Sequence, residues 1–138
     1  MKAEPEVFVD TNVLLYAASS APSEVAERRT ARRILQENDW GTSVQVLQEF
    51  HVNATGKLRE QIRPQSARLF IRLLLTRPIV TTTPDLFTRA VDISRRYRIS
   101  YWDAAIVAAA AHMGCSTLFT QDLNAGQTYE GVTALNPF

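Results

Sequence analysis

Four acidic residues stand where a fold could gather them into one reactive group. Asp10 follows the apolar run Val7-Phe8-Val9 in VFVDTN, and Asp122 follows another short apolar run in LFTQD. Asp103 heads the stretch SYWDAAIVAAAAHMG, and Glu49 lies in the second turn of a helix that opens after Ser43. Each has an ordinary explanation on its own. Asp10 can cap the helix beginning at Asn12, and Ser100 with Asp103 has the S-x-x-D spacing of a capping box. Glu49 can be a solvated helix residue, and Asp122 a turn residue. As a set they point elsewhere. The two lysines, Lys2 and Lys57, lie outside these segments. Two carboxylates about 4 Å apart repel by roughly 4 kcal/mol at an effective dielectric of about 20. Oxygen donors without thiols or nearby histidines suit a hard cation, Mg²⁺ or Mn²⁺. Such ions keep several waters and leave room for a phosphate oxygen, so metal-dependent phosphoryl transfer is the chemistry these residues fit. Thr11, Asn12, Ser43 and Thr120 flank the acids and could hydrogen-bond them from a second layer, with helix capping or turn formation as the alternative for each.

The elements that would position these acids follow from periodicity and punctuation. Val7 to Val9 reads as a buried strand, Asn12 to Ala18 as a short helix broken by SSAPS, and Ser23 to about Asn38 as a charged helix. On the latter, Val25, Ala26, Arg29, Ile34 and Leu35 fall roughly along one side. Trp40 to Thr42 is a minimal strand. Ser43 then caps a helix whose Leu47, Phe50 and Ala54 share a face, and Gly56 ends it. Pro64 suits the first helical position of a segment running through ARLFIRLLL to Pro78. Ile79 to Thr81 is a strand, and Thr83-Pro84-Asp85 starts a helix with Phe87, Ala90, Val91 and Ser94 inward. A helix over 102 to 114, a strand at Thr117 to Phe119 and another at Val132 to Leu135 complete the chain. The alternation predicts an α/β domain, with a mostly parallel sheet of about five short strands and helices on both faces. In such sheets the ligand crevice lies beyond the carboxyl ends of the strands, where Asp10 and Asp122 fall.

Composition narrows the class. The 138 residues, 46% hydrophobic and 21% charged, suit one domain spanning 1–138. The net charge of +1 does not mark a nucleic-acid binder, although thirteen of the fifteen basic residues are arginine, which forks onto phosphate or carboxylate. Two clusters stand out, Arg28/Arg29/Arg32/Arg33 and Arg95/Arg96/Arg98, with phosphate contact and a solvated helix face as the competing readings. The lone Cys115 excludes an intrachain disulfide and a thiolate cluster, and it reads as a small buried thiol. His51 and His112 read as packed helix histidines, and Trp40, Tyr101 and Trp102 as core or rim aromatics. MKAEPEVF lacks the apolar stretch of a signal peptide, and no apolar run spans a bilayer, so a cytoplasmic protein without a membrane partner is expected. A haloacid-dehalogenase-like phosphatase would want a second acid where Asn12 stands, and a receiver domain would want a lysine near the acids. Neither G-x-S-x-G nor a P-loop occurs.

Four segments taken in order, VFVDTNVLLYA, SVQVLQEF, SYWDAAIVAAA and LFTQDLNAGQTYEGV, resemble the motifs of PIN-domain ribonucleases, and most closely the VapC toxins of bacterial toxin–antitoxin pairs. The resemblance covers nearly the whole chain, including the closing ALNPF. It implies a metal-dependent endoribonuclease that hydrolyses phosphodiester bonds in single-stranded RNA. Asp10, Glu49 and Asp103 match the family's metal ligands, and Asp122 matches the acid that completes or supports the site. It further implies Mg²⁺ (or Mn²⁺) as cofactor and RNA as substrate. A cognate antitoxin would cover the surface between the short helix and the Ser23 helix, and a homodimer is expected. The alternative is a PIN-like module that grips RNA or protein without cutting.

Overall fold

The computed structural model describes residues 5–138. Its strands are β1 (Val7–Val9), β2 (Trp40–Ser43), β3 (Ile79–Val80), β4 (Thr117–Phe119), β5 (Thr128–Tyr129) and β6 (Val132–Leu135). Its helices are α1 (Thr11–Ala18), α2 (Val25–Glu37), α3 (Val44–Thr55), α4 (Pro64–Leu74), α5 (Pro84–Tyr97) and α6 (Tyr101–Met113). The six strands form one sheet in the order β3-β2-β1-β4-β6-β5, parallel except for the β5–β6 hairpin at its edge. Helices flank this sheet, as the alternating pattern predicts.

Chain order and strand order diverge at one place. From β1 the chain moves outward to β2 and β3, then returns past β1 to lay down β4 on its other side. Val7, Phe8 and Val9 pair with Thr117, Leu118 and Phe119 in register, and the Asp10 amide extends the pairing by donating to the Phe119 carbonyl. The switch point therefore falls between β1 and β4, and their carboxyl ends open the crevice.

The core explains why these segments fold as they do. Phe8, Val9 and Leu118 are wholly buried, as continuous apolar strands in a doubly covered sheet must be. Val46, Phe50 and Ala54 of α3 and Leu14 and Ala17 of α1 fill the space beside it. Each fully buried Val, Leu or Phe contributes about 1.5–3 kcal/mol relative to an exposed one. Helix α6 is different in kind. Ala104, Ala108, Ala109 and Ala110 are buried together with Ile106 and Val107, and small side chains let the helix lie close between the sheet and α5. Gly41 of β2 belongs to the same close approach, since a Cβ there would lie 2.1 Å from Met113 Sδ.

Several expectations need correction. The described residues form six strands, one beyond the five named from sequence, because the two-residue β5 pairs with β6 across a turn at Glu130 and Gly131, both at positive φ. Helix α2 begins at Val25 after a 3₁₀ turn over Pro22–Glu24, and its buried residues are Ala31 and Ile34, with Arg29 exposed. Helix α5 turns Leu86, Ala90 and Ile93 inward. Phe87, expected inside, is 49% exposed and stacks on Tyr101 with ring centroids 5.6 Å apart. His51 and His112 are both exposed, because they fall on the outer faces of α3 and α6. Trp40 is core, Tyr101 lies at the rim, and Trp102 is 67% exposed. Cys115 is buried, its Sγ donating to the Pro5 carbonyl at 3.2 Å. Among the described residues no helix is long and apolar enough to cross a membrane.

Candidate functional site

Asp10 is the hinge of the site. It is the N-cap of α1, with Oδ1 accepting from the Thr11 amide at 2.7 Å, so the capping explanation is real. Capping uses one oxygen only. Oδ2 accepts from the Thr120 hydroxyl at 2.8 Å, and Thr120 follows β4 across the switch point. The Thr120 oxygen in turn accepts from the Asp122 amide at 3.1 Å. On the other side, the Thr11 hydroxyl donates to Glu49 Oε2 at 2.7 Å, drawing α3 toward the start of α1. Gln45, one turn earlier on α3, donates to Glu49 Oε1 at 3.0 Å and to the Trp102 carbonyl at 3.4 Å. One continuous set of hydrogen bonds thus runs from Asp122 through Thr120, Asp10, Thr11, Glu49 and Gln45 to the head of α6, where Asp103 stands.

Asp103 lies in the first turn of α6. Ser100 caps that helix, its Oγ accepting from the Asp103 amide at 3.1 Å. The capping box is half made. The serine is spent on the backbone, while the Asp103 carboxylate takes no hydrogen bond among the described residues and its charge acts on Asp122.

Electrostatics follow from this placement. Asp10 is 4% exposed, and burial, which disfavours the charged form, pushes its pKa up from 3.8 to about 6. The Thr11 amide and the Thr120 hydroxyl oppose that rise, while the charges of Asp122 and Glu49 add to it. Asp122 sits on the exposed rim, yet its carboxyl pKa is also raised. Partial burial comes first, then the charges of Asp103 and Glu49, with a hydrogen bond to Asp10 working against them. No arginine, lysine or histidine makes an ion pair with any of the four among the described residues; the salt bridges present are Arg77–Asp39 and Arg96–Glu130.

The flanking residues divide. Thr11 and Thr120 bond the acids directly. The Ser43 hydroxyl instead caps α3, accepting from the Val46 amide at 3.3 Å. Asn12 Oδ1 is buried and without a partner among the described residues. Gln45 escapes a reading that looks only for charged groups, although its i, i+4 spacing to Glu49 is a helical contact signature. The arginines divide as well. Arg28 and Arg32 donate to the Ser19 and Ala17 carbonyls at the end of α1, and Arg96 pairs with Glu130.

The donor set is oxygen throughout, which suits a hard divalent cation. Among the described residues, no three His, Cys, Asp or Glu side chains converge tightly enough to enclose one as they stand. The four acids act on one another through their charges, Asp10 with Asp122 and Glu49, and Asp122 with Asp103 and Glu49.

Comparison with known proteins accords with this geometry. The PIN domain family matches residues 7–130. No curated protein matches the chain. Among solved structures, a toxin–antitoxin complex from Klebsiella pneumoniae is similar at a TM-score of 0.70 and 21% identity, over 96% of this chain and 98% of that one. VapC20 of Mycobacterium tuberculosis, described as a sarcin–ricin loop cleaving toxin, is similar at 0.66 and 24%, over 84% of this chain and 91% of its own. FitAB bound to a DNA fragment is similar at 0.68 and 19%, over 95% and 94%. These likenesses show a shared fold, and the family match spans most of the sequence, both ends of β1 and all four acids included: the chain belongs to the PIN-domain family.

Proposed function

We propose that the protein is a metal-dependent endoribonuclease, the toxin of a toxin–antitoxin pair. One observation supports the reading: carboxylates from four separate segments lie near enough to the sheet's switch point for their charges to act on one another, with no basic group ion-paired to them among the described residues, at an energetic cost that a divalent ion would lower. Asp10, Asp103 and Glu49 would hold Mg²⁺ or Mn²⁺, with Asp122 binding directly or through water. Bound there, the ion would polarise a phosphodiester oxygen, make an adjacent water more acidic and offset the charge of the leaving group.

The chain's own residues do the positioning. Thr11 and Thr120 hold the two oxygens of Asp10 in fixed directions, so the carboxylate is oriented before anything binds. Gln45 and Thr11 do the same for Glu49 from both sides. The Asp103 carboxylate is left for a ligand, its helix already capped by Ser100. The site lies at an open rim, which suits a polymer better than a small enclosed metabolite. RNA is favoured as that polymer because VapC20 shares the fold and is described as a sarcin–ricin loop cleaving toxin.

The complexes among the structural neighbours favour a protein antitoxin as partner, with a second copy of this chain and a cytoplasmic setting completing the proposal. Incubation of the purified protein with single-stranded RNA in Mg²⁺, with and without EDTA, tests the reading. Cleavage that stops with EDTA is expected. RNA that is bound but left intact in Mg²⁺ and Mn²⁺ would instead establish the non-cutting PIN-like module, which the uncaged arrangement of the acids keeps as the second reading.

A further inference from the structure

Trp102 immediately precedes Asp103 at the head of α6, and it is 67% exposed. Tryptophan hides most of its surface in an ordinary fold, so an open one next to a candidate metal ligand calls for an explanation. It does not stand alone. Its ring centroid lies 5.1 Å from that of the half-buried Tyr101, and the Tyr101 ring lies 5.6 Å from that of Phe87 on α5, itself about half exposed. Both spacings are those of rings in contact. Three aromatic side chains thus form one row, and its two end members are open to solvent.

The row is tied to the acids. Trp102 and Asp103 share a peptide, which sets their Cα atoms about 3.8 Å apart. Gln45 Nε2 donates both to the Trp102 carbonyl at 3.4 Å and to Glu49 Oε1 at 3.0 Å, so one side chain of α3 links the backbone carrying the ring to a second acid. Tyr101 packs against the core and anchors the middle of the row. A flat ligand inserted between two rings needs about 7 Å, twice the ~3.5 Å contact distance of carbon atoms. The row has no such gap, and what it offers is the outer faces of Trp102 and Phe87.

Those faces fit unpaired bases. Every base has a π face, and proteins that hold single strands stack successive bases on Trp, Tyr and Phe without reading their edges. The division of labour is also right. Phosphate is repelled by a bare carboxylate and belongs with an ion at the acids, whereas a neutral base can lie on the neighbouring ring. The other large apolar side chains exposed to this degree, Val52, Leu69 and Leu75, are aliphatic and lie on α3 and around α4. A second copy of this chain seated on the row would stand at the rim where the polymer has to enter, so a base is the favoured occupant.

Resting on the ribonuclease reading, we propose that Trp102, Tyr101 and Phe87 form a stacking platform for single-stranded RNA. Trp102 takes the base of a nucleotide adjoining the phosphate held at the acids, and Phe87 takes a base further along. Neither distinguishes one base from another. The platform selects strands by pairing state, because a base inside a duplex has both faces covered by its neighbours.

The test uses hexaadenylate, titrated with the protein in Ca²⁺. Fluorescein anisotropy of the labelled RNA gives the affinity. Tryptophan emission with unlabelled RNA gives a local readout, since the chain has two tryptophans and Trp40 is buried. Saturable quenching at the anisotropy midpoint is expected. Trp102→Leu should weaken binding about tenfold, Trp102→Phe should keep most of the affinity, and Phe87→Leu should lose less than Trp102→Leu. One abasic position in the RNA should cost the wild type about tenfold and cost Trp102→Leu nothing further. No quenching, equal affinity of wild type and Trp102→Leu, or no measurable binding overturns the platform. So does Trp102→Leu protein that sediments as a monomer where the wild type is a dimer while RNA affinity holds, which gives the row to a second copy. Hexaadenylate in Mg²⁺ reports on the underlying activity separately. Cutting that Trp102→Leu matches at every RNA concentration removes the platform and leaves the ribonuclease, whereas ring-dependent binding without cutting keeps the platform and removes the ribonuclease.

Discussion

The two edges of the sheet treat a carboxylate in opposite ways. At the amino ends of β2 and β3, Asp39 meets Arg77 at 2.6 Å, and the same guanidinium bonds the Trp40 carbonyl and lies 4.8 Å from the Trp40 ring centre. That arginine is fully occupied, its charge matched and its stem packed on an aromatic face. At the carboxyl ends of β1 and β4, four acids lie around one rim, and no basic side chain pairs with them among the described residues. The first edge is finished by the chain itself. At the second, burial and the neighbouring acids raise the carboxyl pKa values of Asp10 and Asp122. A chain that pairs Asp39 yet leaves Asp10 4% exposed and without an ion pair among the described residues accepts a local cost at the rim where the proposed function places the ion.

This contrast can be broken most severely at the rim. Asp10→Asn or Asp103→Asn is expected to lower RNA cleavage in Mg²⁺ by about a thousandfold or more, with an unchanged circular dichroism spectrum; full activity in both variants would remove the mechanism. Thr120→Val is the next largest. It deletes the donor to Asp10 and the acceptor for the Asp122 amide while keeping shape, and should cost about 10–100-fold in activity or ion affinity, read from Mn²⁺ titrations of the cleavage rate.

The stability of the ion-free protein sharpens the comparison in the other direction. The folded Asp10 pKa of about 6 exceeds its ordinary 3.8, so the folded chain holds the proton more tightly. The corresponding stability is present in full below about pH 4 and is lost as pH rises through 6, amounting to at most about 3 kcal/mol. In EDTA at pH 7.5, Asp10→Asn should therefore melt a few degrees above wild type, and the gain should shrink toward pH 5 in thermal scans. At the finished edge the effect is smallest. Asp39 is 66% exposed, so Asp39→Asn should cost under about 1 kcal/mol in urea titrations and leave cleavage untouched.

The positions of Asp10 and Asp122 were legible because they follow a rule about sheets, and a strand ended by Val7-Phe8-Val9 delivers Asp10 to the crevice. Ser43, Thr83 and Ser100 announced helix starts that the structure realises through their side-chain oxygens. What stayed hidden depended on rotation and pairing. The inner stripe of α5 was misread by one residue, a turn of about 100°, which sufficed to exchange Phe87 for Leu86. Strand β5 has two residues, and only its partnership with β6 makes it a strand. Gln45 carries no charge, and only its i, i+4 spacing to Glu49 hints that it braces that acid, while nothing near Gln61 in sequence says that it lines a cavity.

Thr11 has a consequence of its own. Its amide holds Asp10 and its hydroxyl holds Glu49, so the gap between two acids from different elements is spanned by the covalent frame of a single amino acid. The branching methyl restricts χ1, which makes that frame a stiff gauge. Serine would offer the same two donors on a looser joint. The threonine's carbon, more than its oxygen, is what would keep the jaws of the site at a constant opening.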